Sequence, residues 1–204
     1  MGLLSSSVSI TQYRVEGQLQ DPVMNTVREA LQKNTVDEID NDTCEQMVGW
    51  TTFEDPFTPD FKSATIIIDT TFVFSLRIDK KSIPAKVVQK HFNQEMNRRL
   101  ADSHREFLSR SEKKLLKEQV INVLSTRIPA TPNVYDLAWD YEAGRLWFFS
   151  NLKSANEALE TLFTQSFNLS LIRLFPYTAA EFGLDLSAPE RDNLNQLKPT
   201  LFVE

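Results

Sequence analysis

The sequence predicts an α+β fold, with antiparallel or mixed sheets and a projecting long helical hairpin. Three observations carry that prediction. Runs of β-branched and aromatic residues lie before residue 80 and again after residue 133. Between them stand two amphipathic helical patterns in direct succession. Proline-rich segments break the chain at 54–62 and at 126–133.

The elements follow in order. VSITQYRV (8–15) alternates apolar and polar residues, as a half-buried strand does. Asp21-Pro22 is expected to open a helix to about Lys33, with Asp21 as N-cap and Pro22 at the first helical position. DEIDNDTCE (37–45) is acidic and reads as a loop or short helix, and MVGWTTF (47–53) as a strand. EDPFTPDFK (54–62) is a loop. ATIIID and TFVFSLRI, within 64–78, suit two buried strands. Ser82 is expected to cap the next helix, with Pro84 in its first turn. Val88, Phe92, Met96 and Leu100 form a narrow stripe along it. SRSE (109–112) is a capping box opening a second helix to about Ser125, with Leu116, Val120, Val123 and Leu124 on its apolar side. VYDLAWDY (134–141) and RLWFFS (145–150) flank a turn at Gly144. SANE (154–157) is expected to cap a helix to about Phe167. NLSLIRLF (168–175) is a last strand and PYTAAEFG a short helix. The expected organisation is an N-terminal α+β half (1–80), a basic helical hairpin forming a tip (81–127), a C-terminal ββαβ half (128–183) and a loosely ordered polar tail (184–204).

With 204 residues and 41% of them hydrophobic, the chain can bury a core without staples. Cys44 is the single cysteine, so no internal disulfide forms, which suits a reducing compartment. No apolar run approaches a membrane span, and no signal-peptide pattern opens the chain. A cytoplasmic location is expected.

Charge is distributed unevenly. Residues 77–127 hold thirteen Lys+Arg against six Asp+Glu, a net +7, so the rest carries −13 to reach the total of −6. Such asymmetry points toward a polyanionic partner. Arg110, Lys113, Lys114 and Lys117 stand at i, i+3, i+4 and i+7, which puts all four on one helical face. Arg98, Arg99 and Arg105 extend the patch from the preceding helix. Asp102 is placed to pair with Arg98 or Arg105, and Glu106 with Arg99 or Arg110. Two readings stand: a phosphate-binding face, or a solvated surface laced with ion pairs. No recognition-helix motif or aromatic ladder accompanies the basic run, so any DNA contact would be to phosphates and sequence-tolerant.

Catalytic signals are sparse. His91 and His104 read as solvent-facing helix residues. Asp37, Glu38, Asp40 and Asp42 lack the spacing and glycine of a calcium loop. There is no phosphate-binding glycine loop and no nucleophile elbow. Asp69 and Asp79, at strand ends, are the carboxylates a metal-dependent nuclease would draw on. No cofactor, metal or catalytic residue is expected.

VGW (48–50), IPAKVVQKHFNQEMNRRL (83–100), SEKKLLKEQVINVLSTR (111–127), the Trp139 strand with its Gly144 turn, and SANEALETLF (154–163) follow one another in an order that resembles the RdgC family of recombination-associated DNA-binding proteins. The likeness runs from about residue 8 to residue 180. It implies a bacterial, nucleoid-associated protein that encircles duplex DNA as a homodimeric ring without sequence preference and restrains RecA-dependent strand exchange. Some members carry an older exonuclease label. The +7 segment and its basic face, in the region that the likeness matches, lead us to expect phosphate contacts at Arg98, Arg99, Arg105, Arg110, Lys113, Lys114, Lys117 and Arg127. The likeness also implies a dimer contact at Val123, Leu124 and Ile128. Typical members extend further at the C-terminus, so the chain is expected to be a short form without that region. They also carry a gate aromatic where this chain has Ile128-Pro129. The alternatives are a module whose basic hairpin docks an acidic protein, and a metal-dependent exonuclease.

Overall fold

The computed structural model describes residues 2–184 and 186–197. Its elements run β1 (Thr11–Glu16), α1 (Val23–Lys33), β2 (Gln46–Thr51), β3 (Ile67–Ile68), β4 (Thr71–Lys80), α2 (Ala85–Ser103), α3 (Arg110–Ser125), β5 (Thr131–Asp140), β6 (Arg145–Phe148), α4 (Lys153–Phe167), β7 (Ser170–Leu174), α5 (Pro176–Gly183) and α6 (Ala188–Gln196).

All the strands join one antiparallel sheet in the order β2-β4-β5-β6-β1-β7, with the two-residue β3 also paired to β4. The mixed α+β class and antiparallel pairing agree with expectation. The stretches before and after the helix pair do not form separate sheets. β4 and β5 pair along their whole length, from Thr71 opposite Asp140 to Lys80 opposite Thr131, and β1 inserts between β6 and β7. β5 begins earlier than expected and takes in Pro132. That residue is tolerated because β6 pairs only with Leu137–Asp140, which leaves one side of the first half of β5 unladdered.

Strand alternation decides which face is buried. Phe72, Phe74, Leu76, Leu137, Trp139, Leu146, Phe148 and Tyr13 turn to one side of the sheet, where α1 and α4 cover them with Val27, Leu31, Leu159, Phe163 and Phe167. Trp139 packs edge-on against Phe163 at 5.0 Å, and Trp50 edge-on against Phe74 at 5.1 Å. The Trp50 indole N–H donates to Ser166 Oγ on α4 at 2.8 Å, tying the outermost strand to the helix layer. At the other end, the Tyr13 hydroxyl donates to Asn156 and Glu160 at 2.7 and 2.9 Å. Burial, and then the Glu160 carboxylate, push its pKa well above the usual phenol value.

Three expected caps do not form. α1 starts after Pro22, α2 after Pro84 and α4 after Leu152, none with a side-chain cap, so Asp21, Ser82 and Ser154 do not play that part. Ser82 lies too early, and Ser154 is already inside its helix. The box at Ser109 and Glu112 does form: the Ser109 hydroxyl accepts from the Glu112 N–H at 3.2 Å, and Glu112 accepts from the Ser109 N–H at 2.7 Å. β3 is two residues long, with Ile68 exposed, where a full buried strand was expected. In the expected loose tail, Ser187 and Glu190 make a second capping box that opens α6. Residues 185 and 198–204 of that tail lie outside the described residues.

Candidate nucleic-acid interface

α2 and α3 pack on each other around a small core of their own. Leu108, Leu116, Val120 and Leu124 are buried, and Val88, Phe92, Met96 and Leu100 of α2 press on them together with Ile83 and Val87. The four-residue stripe of α2 therefore meets the stripe of α3, as its spacing requires. Neither helix makes extensive contact with any strand or other helix among the described residues. Val123 departs from expectation: it is 49% exposed, because it turns one step off the seam that Leu116, Val120 and Leu124 follow.

Arg110, Lys113, Lys114 and Lys117 are all exposed along α3. Lys114 lies 4.0 Å from Glu118, one turn on. Arg110, Lys113 and Lys117 form no ion pair among the described residues. On α2, Arg98 lies 4.0 Å from Asp102. Arg99 pairs with Glu95 at 3.6 Å and also donates to Gln119 of α3 at 2.5 Å, bridging the two helices. Arg105, in the connection, reaches Glu112 at 3.1 Å. Hydrogen bonds from Ser109, side chain first and then backbone, hold the Glu112 carboxyl below the usual carboxylate range, and Arg105 adds to the effect. Of the expected pairings, Asp102 with Arg98 forms, whereas Arg99 and Arg105 find Glu95 and Glu112 instead. Glu106 pairs with neither Arg99 nor Arg110.

Arg127 belongs to a different place. It follows α3, about 25 Å along the helix from Arg110. There it lines a groove of 550 Å³ between the helices, with His91, Glu95, Arg99 and Val123. His91 is thus half-buried in the groove, while His104, in left-handed conformation with φ 51°, closes α2 in the open. Of the contact candidates, Leu124 is spent inside the helix-pair core, whereas Val123 is exposed and Ile128 half-buried.

Two cations escaped sequence reasoning. Arg77 is buried on β4 and holds Asp79 through two hydrogen bonds, at 2.7 and 2.6 Å, while its guanidinium also reaches the carbonyls of Pro56 and Phe57. Lys81 is buried as well, at 7% exposure. Both count toward the +7 of residues 77–127, yet neither is available to a ligand. Asp79 is accordingly committed to Arg77. Asp69 lies in the β3–β4 turn with φ 57°, at the opposite end of β4, so the two carboxylates do not converge. The acidic loop is used structurally: Asp40 Oδ1 accepts from the Ala130 N–H at 2.8 Å.

A family model described as "Putative exonuclease, RdgC" matches residues 9–181, from just before β1 into α5. The chain belongs to the RdgC family. That membership links it, at a coarse level, to DNA recombination and DNA binding. The match takes in the whole α2–α3 pair and every segment that carried the resemblance. No curated protein matches the chain. No helix among the described residues is long and apolar enough to cross a membrane.

Proposed function

We propose that this RdgC-family chain binds duplex DNA without sequence preference and through phosphates, using the α2–α3 pair as a projecting basic hairpin. The carrying observation is the exposed face of α3, on which Arg110, Lys113 and Lys117 lack ion-pair partners among the described residues. Like charges spaced one turn apart repel one another. A line of phosphates relieves that repulsion and gains entropy from released counterions. Arg98, Arg99, Arg105 and Lys114 widen the face, because their exposed ion pairs are weak and exchange readily for phosphate. Arg127 contributes a contact nearer the sheet.

In this reading the protein works as a homodimeric ring or clamp, with Val123 and Ile128 at the contact. It holds DNA loosely at the nucleoid and restrains RecA-type strand exchange. It binds and does not cut.

The test is fluorescence anisotropy with a labelled random-sequence duplex, across a salt series without metal. Four phosphate contacts per protomer give a log–log slope of about −3.6, and a dimer about twice that. Reversing the charge at Lys113, Lys114 and Lys117 together should abolish most of the slope. Unchanged affinity in that variant would refute the proposal. Absent binding with a co-purifying acidic protein would favour a protein-docking role, and metal-dependent loss of the duplex would favour the exonuclease reading.

A further inference from the structure

Lys81 stands between the end of β4 and the start of α2, and its side chain is buried. A buried ammonium has three protons to place. Lys81 Nζ places them on three backbone carbonyls: Asp40 at 3.0 Å, Asp42 at 2.7 Å and Ser125 at 2.6 Å. Its own N–H donates to the Glu45 carbonyl at 2.9 Å. The Ser125 carbonyl belongs to the last turn of α3, where carbonyls lack helical partners and a cation is favoured. The same loop holds the outgoing chain as well, through Asp40 Oδ1 and the Ala130 N–H. Ile39, in the same loop, is buried at 3% exposure.

The entry to α2, the end of α3 and the start of β5 are therefore all tied to the segment 39–45. Those three points lie at the root of the helix pair. The pair has its own core and shares no extensive contact with strands or other helices among the described residues. Cut loose at its root, it would be joined to the sheet by two short connections, each free to act as a hinge.

We propose that Lys81 is a positioning residue: with the 39–45 loop it forms a root clamp that fixes the angle of the α2–α3 pair against the sheet. The clamp stands on geometry alone. Only its consequence, where the basic face meets DNA, rests on the DNA-binding reading.

The test measures that angle without DNA. Cys44 is replaced by Ser, and spin labels are placed at Ser111 on α3 and Glu142 in the β5–β6 turn of the full chain. Double electron–electron resonance then gives the distance distribution. Lys81→Met keeps an unbranched side chain one atom shorter and removes all three donors. The expected result is a distribution roughly doubled in width, with the near-ultraviolet spectrum of the main aromatic core unchanged. A folded Lys81→Met protein with native width overturns the proposal. Should that variant not fold, Asp40→Ala decides, since it removes only the Ala130 contact. A smaller broadening is expected, and native width again overturns the clamp. Duplex binding by the native chain is scored separately, so its absence would count against the DNA reading and leave the clamp standing or falling on the distances.

Discussion

Gly49→Ala is the perturbation whose size the structure best defines. Gly49 lies in β2, and a Cβ built on it would sit 2.5 Å from the Val36 nitrogen, closer still to the Val36 Cα, and 2.9 Å from the Val36 Cβ. Two of these atoms are backbone and cannot swing aside. They are close because residues 34–36 run beside β2: Trp50 N–H donates to the Asn34 carbonyl at 2.8 Å, and Val36 N–H to the Trp50 carbonyl at 3.0 Å. To admit a methyl group, the two segments must part. That weakens two hydrogen bonds worth about 1 kcal/mol each. It also pulls on Trp50, whose ring packs against Phe74 and Phe167, and overpacking of this kind costs about 1–3 kcal/mol. The total is about 3 kcal/mol, or roughly 6–12 °C in Tm for a domain of this size. Urea unfolding followed by circular dichroism reads the free energy directly. Gly183→Ala is the control, since a Cβ there meets nothing within 4 Å. A loss below about 0.5 kcal/mol in Gly49→Ala, on the order of the control, would refute the steric argument.

The buried pair on β4 and the capping box give two further expectations. Asp79→Ala strands the Arg77 guanidinium at a site 8% exposed, so unfolding should become easier by about 3–5 kcal/mol, measured by the same urea titration. Glu112 should make α3 acid-sensitive. Its folded pKa is depressed, so its contribution is present above the unfolded value and disappears as pH falls through the lower folded value. The urea midpoint of the native protein should therefore exceed that of Glu112→Gln at about pH 6, and the gap should narrow as the pH falls below the ordinary glutamate value.

How much of this was legible in the sequence depends on the range of the force involved. The long strands were legible because alternation is a local record of a two-faced sheet, and β4 and β5 carry it over many residues. The seam between α2 and α3 was legible for the same reason, as a four-residue period on both helices. The Ser109 box was found because both of its partners lie within one turn. The identical signal at Ser187 and Glu190 was present but passed over beneath the polar composition of the tail. Asp21, Ser82 and Ser154 were misread because a cap residue can be recognised locally, whereas a helix start is set by where packing turns the chain. Lys81 could not be read at all. Its fate depends on Asp40 and Asp42, about forty residues earlier, and on Ser125, more than forty later. Arg77 was hidden because a strand read as apolar gives no hint that one of its charges is paired inward.

The site shows why a count of charges differs from a surface potential. Of the thirteen cations in residues 77–127, Arg77 and Lys81 are spent on structure. Arg98, Arg99, Arg105 and Lys114 have acidic neighbours within 4.0 Å on a wet surface. Such pairs are worth about 0–1 kcal/mol, less than a phosphate array offers in counterion release, so they behave as a reserve more than as a sink. Seven remain: Arg110, Lys113 and Lys117 cluster in the first half of α3, away from the root, while Lys80, Lys86, Lys90 and Arg127 lie nearer the sheet. At the root itself lie Asp37, Glu38, Asp40, Asp42 and Glu45, the loop that holds Lys81. These acidic loop residues stand beside Lys80, Lys86, Lys90 and Arg127, whereas the first half of α3 carries basic residues without ion pairs among the described residues. The two readings that spacing alone left open are thus compatible: one helix pair carries ion-paired Arg98, Arg99, Arg105 and Lys114 and, in the first half of α3, Arg110, Lys113 and Lys117, the residues on which the proposed phosphate contact rests.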